Sequence, residues 1–173
     1  MSDTAAARDR IQGSLGSADG FGVVRIEARL DAEIDLVWSA LTEAEQLGHW
    51  YGEVEGELRV GGDYRAHVHA SGWEGTGHVE ECETPRRFLV TSAASDDASD
   101  KSTEVTLSRA GDQTILVVEQ RGLPLDLTWA FGAGLQIHVE DLAAHVAGGE
   151  RVDARSRFGE LEPTYRELAA KIA

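Results

Sequence analysis

In this chain of 173 residues, two groups of side chains have the types and spacing for chemistry, and both sit on one hairpin. Within "GDYRAHVHASGWEGTGHVEE", a turn at Gly72-Trp73 would set Tyr64 opposite Glu81, Ala66 opposite Val79 and Val68 opposite Gly77. That mostly apolar set should face inward, making Glu81 a partly buried carboxylate with the Tyr64 hydroxyl in reach. An acid in an apolar wall has a raised pKa unless it is well hydrogen-bonded, so Glu81 is a candidate ligand anchor or general acid/base; the plainer reading is a Tyr-Glu pair at the sheet rim. The same register puts His78 across from His67, with His69 two residues along. Three imidazoles around an open fourth position can hold a catalytic zinc. They fall on the outer face, however, where a metal has no pocket, and are read as three solvated histidines. No metal and no cofactor is expected.

A second set lies further along. His138 stands beside Leu135 and Leu142 on an apolar helical stripe, either as a satisfied core residue or as a hydrogen-bond donor to a ligand near Gln120. Trp50 and Tyr51 end a short helix and are expected to pack on Trp129 and Phe131, where they either grip a flat ligand at a pocket mouth or close the core. Gly52, Gly132 and Gly134 suit a moving gate and tight backbone packing equally. Cys82 has no neighbouring His in sequence and reads as a structural thiol.

Bulk properties narrow the function classes. A net charge of −15 repels phosphate backbones and anionic lipid headgroups, which disfavours nucleic acid and membrane surfaces as partners. No apolar run approaches the length of a bilayer span, the N-terminus lacks a secretory pattern, and a single cysteine cannot form an internal disulfide, so a cytoplasmic setting is expected. Walker-type, dinucleotide-binding and nucleophile-elbow motifs are absent from the sequence.

These side chains must be positioned by a definite set of elements. Residues 1–20 lack a sustained apolar period and read as a flexible arm, with the domain spanning 21–150 and a helical extension at 151–173. Residues 23–30 alternate as a strand with Val24, Ile26, Ala28 and Leu30 on one face. Two short helices follow, the second opened by a Thr42/Glu45 capping-box pattern. Glycine and proline punctuation then divides 53–121 into six further strands, with "SAASDDASDKS" as the most exposed turn. From Thr128 to Val146 the apolar period becomes helical, and a last helix is expected around 160–172. A sheet with one apolar face must cover it, and the long helix is the element able to do so.

The segments "DLVWSALTEAEQLGHWYG", "LRVGGDYR", "GHVEECETPRRFLVTS", "STEVTLSRAGDQTILVVEQRGLP" and "FGAGLQIHVEDLAAHVAGG", in that order, resemble the SRPBCC or START-like superfamily, and within it the domains similar to the activator of heat-shock-protein-90 ATPase. The resemblance covers about 24–149. It implies an α+β helix-grip fold: a curved antiparallel seven-stranded sheet wrapped around a long C-terminal helix, with two short helices after the first strand, enclosing an elongated apolar pocket. Relatives often carry aromatic residues where this chain has Leu135 and His138, and His where it has Gln120; all three positions belong to faces expected to line the pocket.

The expected function is binding of a small hydrophobic or aromatic molecule, with Trp50, Tyr51, Tyr64, Glu81, Phe88, Gln120, Trp129, Phe131, Leu135 and His138 as the ligand-binding set. Two alternatives stand beside it. One is an enzyme of the polyketide cyclase or aromatase kind, in which Glu81, Tyr64 or His138 moves a proton; the other is a chaperone-regulating interaction protein. A homodimer is a further partner to be considered.

Overall fold

The computed structural model describes residues 11–94 and 101–172. Eight strands form one antiparallel sheet in the order β1-β2-β8-β7-β6-β5-β4-β3. In chain order they are β1 (Ile11–Ala18), β2 (Phe21–Leu30), β3 (Gly52–Gly56), β4 (Asp63–Val68), β5 (Glu74–Glu83), β6 (Arg87–Ala94), β7 (Lys101–Ala110) and β8 (Gln113–Leu123). Helices α1 (Ile34–Thr42) and α2 (Ala44–Trp50) follow β2, while α3 (Thr128–Val146) and α4 (Ala154–Ala169) end the chain.

The helix-grip architecture is as expected, with one strand more. Ile11–Ala18 pairs along its whole length with β2, from Ile11 opposite Ala28 to Ala18 opposite Phe21, around a turn in which Asp19 and Gly20 both take positive φ. The sequence reads as a flexible arm here because residues 1–20 carry no sustained apolar period. Its small residues are in fact needed: a Cβ on Gly13 would lie 2.0 Å from the Tyr165 hydroxyl of α4. Residues 1–10 and most of the "SAASDDASDKS" turn lie outside the described residues.

Other boundaries moved for local reasons. The Thr42/Glu45 capping box does not form; the Thr42 hydroxyl donates to the Trp38 carbonyl at 2.7 Å, and α2 has no side-chain cap. Helix α4 starts well before the expected position, capped by Asp153, whose carboxylate accepts from the Ser156 amide at 3.3 Å. Pro163 inside the helix disguised this start, since proline reads most easily as a first-turn residue.

Helix α3 is buried on two sides. Toward the sheet it presents Leu135, Val139 and Leu142, and toward α4 it presents Gly132, Gln136 and Glu140. Gly132 is a packing glycine: its Cβ would meet the Tyr165 ring at 2.6 Å. Buried polar groups on that side are satisfied together. Tyr165 donates to Gln136 at 2.6 Å, Gln136 donates to Glu140 at 3.0 Å, and the Arg157 guanidinium clamps Glu140 from 2.8 Å. The inward residues of β1 and β2 fill the hollow on their side, Val24, Ile26, Ala28 and Leu30 being essentially inaccessible.

Candidate functional site

On the other side of α3 the hollow is not filled. A cavity of about 830 Å³ lies between α3, the inner faces of β3 to β8, and the α1–α2 corner, with the N-terminal part of α4 reaching it. Its wall is mostly apolar, with Val105, Leu116 and Val118 on the sheet opposite Phe131, Leu135 and Leu142 on the helix. The strands supply alternate residues by the period of the pleat, and α3 supplies one stripe at helical spacing.

Eight of the ten residues expected at a site line this cavity: Trp50, Tyr51, Tyr64, Phe88, Gln120, Phe131, Leu135 and His138. Trp129 does not. It turns away to α4, where its ring lies 5.9 Å from that of Phe158 and beneath the Arg166 guanidinium at 3.7 Å. The expected Trp50–Trp129 contact is therefore replaced. Trp50 is buried and donates from Nε1 to the Ala40 carbonyl at 2.8 Å, Tyr51 tilts against it at 5.4 Å, and Tyr51 meets His138 edge to face at 5.2 Å.

Glu81 is also outside. The β4–β5 hairpin turns earlier than assumed, so Tyr64 opposes Gly77 and Ala66 opposes Gly75. That slip is even and preserves which residues face inward. What reverses Glu81 is an irregularity between Val79 and Glu81 in the β5–β6 ladder, an extra residue that exchanges the faces of everything after it. Cys82 then lines the cavity in its place, and Glu81 joins Glu104 in an ion-pair cluster on Arg87, whose own pKa is raised first by its hydrogen bonds to those two carboxylates. Glu81→Gln is accordingly expected to leave the affinity for any cavity ligand unchanged; a titration of wild type and variant with one fluorescent apolar probe checks it.

The same register breaks up the three histidines. His67 opposes Glu74, at 3.9 Å, and His78 pairs with Asp63 at 2.7 Å, which raises its pKa. His69 Nε2 lies 2.9 Å from the Gly48 carbonyl. Among the described residues no group of His, Cys, Asp or Glu is arranged to hold a metal.

The two tyrosines and the histidine of the cavity wall are held neutral. Burial pushes the Tyr51 hydroxyl up to about 12 and raises that of Tyr64 as well, with a smaller contribution from Tyr51. Burial lowers His138 to about 4, and its Nδ1 is buried without a hydrogen-bond partner. One turn further on, burial raises Asp141 to about 6, although its carboxylate accepts from the Val152 amide at 2.8 Å.

These two shifts act on stability in opposite directions. As pH falls from 6.5 toward 4, the unfolded chain takes a proton at His138 that the folded chain refuses, and stability is lost. As pH falls from 6 toward 3.8, the folded chain takes a proton at Asp141 before the unfolded chain does, and stability is gained. Each contribution is about 3 kcal/mol when complete. Urea melts across this range should therefore show His138→Leu gaining on wild type as the solution is acidified, and Asp141→Asn losing.

The sequence profile described as "Activator of Hsp90 ATPase homolog 1-like protein" matches residues 31–147. The chain belongs to that family. This Hsp90 ATPase activator-like chain shares its fold with the crystal structure of CalU16 from Micromonospora echinospora, at 24% identity, covering 92% of this chain and 98% of that one, with a TM-score of 0.77. DynU16, a putative protein in the dynemicin biosynthetic locus, is 24% identical over 79% of this chain and 51% of its own, with a TM-score of 0.68. A conserved protein of unknown function from Enterococcus faecalis is 20% identical, covering 98% and 96% of the two chains, with a TM-score of 0.71. No protein of curated function matches the chain. Among the described residues, no helix of this family member is long and apolar enough to cross a membrane.

Sequence reasoning missed Trp73, Cys82 and Phe158 as wall residues. Alternation would have found Cys82 if the bulge had been known. Phe158 had no signal, because its place depends on how α4 docks.

Proposed function

We propose that the protein binds a small hydrophobic or aromatic molecule in the cavity between α3 and the sheet. The observation that carries this reading is a mostly apolar space of about 830 Å³, within the usual size of small-molecule sites, enclosed between α3 and the sheet. The polar groups are few, and the charged ones among the described lining residues are Lys101 and Arg155. Tyr51 and Tyr64 offer hydroxyls, and the unpartnered His138 Nδ1 is a cost in the folded chain that a hydrogen-bonding ligand would offset.

The catalytic alternative is weaker on the same page. With Glu81 outside, Tyr51 and Tyr64 are phenols that hold their protons and His138 is an imidazole that refuses one, so none of these three is poised to exchange a proton near neutral pH. A chaperone-regulating role rests on the family description alone, and fold does not fix function.

Native mass spectrometry of protein purified without denaturation tests the proposal, together with titration by N-phenylnaphthylamine. The expected result is one saturable site, with a co-purified molecule displaced by the probe. Unsaturable, weak fluorescence at every protein concentration would contradict it.

A further inference from the structure

Part of the cavity wall comes from a segment outside the span that matches the family. Helix α4 begins after residue 147, where the match ends, yet its Ala154 and Phe158 line the space together with Ala130 and Gly134 of α3. Other residues hold α4 to the body of the domain. Leu161 and Tyr165 are its buried side chains, with Tyr165 packed on Gly132 and donating to Gln136, and the Arg157 guanidinium grips Glu140. Phe158 takes part in none of these contacts and is left half-buried, so its ring is available to the cavity.

Behind Phe158 stands a second ring. Trp129, in the first turn of α3, lies 5.9 Å from Phe158 centre to centre but does not itself line the cavity. The Arg166 guanidinium covers the same indole at 3.7 Å, and Arg166 is fixed in turn to Glu162 at 2.9 Å. At this place the wall is one side chain thick, with an aromatic surface already held in position behind it. The wall residues of α3 run from Ala130 to Leu142, roughly 18 Å of helix rise, so the space is long and Phe158 stands toward the end where the helix begins.

Resting on the cavity-binding reading above, we propose that Phe158 sets how far an elongated apolar ligand can extend along α3. Each methylene that such a ligand buries between α3 and the sheet raises its affinity by about fourfold. The gain stops where further length must displace the Phe158 ring or turn out into water. Ala154, one turn before Phe158 on the same side of α4, is small, as are Ala130 and Gly134 of α3, and Gly134 faces open space. The ring is therefore what a lengthening ligand meets in this stretch. Truncating it opens the cavity as far as Trp129, whose flat indole gives the longer ligand a new surface to pack on.

The 4-alkylphenols, lengthened one methylene at a time and titrated as competitors of N-phenylnaphthylamine, read this limit. In wild type the affinity should climb with tail length and then level off. In Phe158→Ala the short members should bind as they do in wild type, while the levelling moves to longer tails and the longest members bind about tenfold tighter. In protein carrying fluorinated tryptophan, a long-tailed phenol should shift the Trp129 resonance in Phe158→Ala and leave it unmoved in wild type. Phe158→Leu, which keeps an apolar side chain against Trp129, carries the same test if the alanine variant does not fold, with a smaller displacement of the limit. A limit absent from wild type, or one that stays at the same tail length in the folded variant, would overturn the proposal and leave the cavity reading standing. An equal change for every member of the series would also overturn it, since Phe158 would then be bracing α4 rather than gauging length. Failure of N-phenylnaphthylamine and the phenols alike to bind wild type would overturn both readings.

Discussion

Replacing Gly134 by leucine and then by tryptophan is expected to close the cavity in steps while the protein becomes no less stable. Gly134 lines the cavity, and a Cβ built on it meets nothing within 4 Å, so a side chain there enters open space rather than a neighbour. Glycine inside a helix is destabilising by about 1 kcal/mol relative to good helix formers, so Gly134→Leu should gain roughly that amount. Ligand affinity should move the other way. The larger indole crosses more of the space and should cost a bound probe about tenfold or more, with leucine intermediate. The neighbouring glycine behaves oppositely. Gly132 already lies against the Tyr165 ring, so Gly132→Ala forces α3 and α4 apart and should lower the melting temperature without entering the cavity. Thermal melts and probe titrations on the three variants are sufficient to check this, and a drop in stability for Gly134→Leu would place that residue in a packed interface.

The second large effect is on folding. Arg157→Met is expected to destabilise the protein by about 3–5 kcal/mol, because it leaves the Glu140 carboxylate buried against α4 without its guanidinium. Glu140 is 3% exposed and Arg157 14%, so solvent screens the pair little. Gln136 still donates to Glu140 in the variant and moderates the loss, placing it toward the lower end of that range. Changing both members, Arg157→Met with Glu140→Leu, should restore much of the stability, since an apolar pair of similar volume avoids burying a carboxylate that has lost its guanidinium. Denaturant melts of the two singles and the double measure the coupling directly. Because α4 also lines the cavity, the single variant should lose probe affinity as well, and the double variant should regain it.

The contrast between these helices shows what can be read from a sequence of this kind. Residues 128–146 carry a helical apolar period long enough to be unambiguous, and the glycines between strands mark hairpins, so the helix-grip architecture was legible. Most of the cavity wall was legible too, because alternation along β4, β6 and β8 survives intact. Glu81 was misplaced because alternation is a counting rule, and one extra residue after Val79 reverses the count for the rest of β5. Trp129 was misplaced because the pattern around α3 does not say that a second helix lies behind it; Gln136 and Glu140 look like a solvent face until Tyr165 and Arg157 cover them. Strand β1 has no pattern of its own and exists through its pairing with β2 and the close approach of Tyr165 to Gly13.

Ligand binding by this domain requires the space beside α3 to receive an apolar body, and methyl NMR observes that most directly. With isotopically labelled protein and equimolar N-phenylnaphthylamine, intermolecular NOEs are predicted from the probe to the methyl groups of Leu116, Val118 and Leu135, which face one another across the cavity. Those methyls unshifted and without NOEs at saturating probe, with all perturbation on outward-facing residues such as Leu36 and Val60, would contradict it.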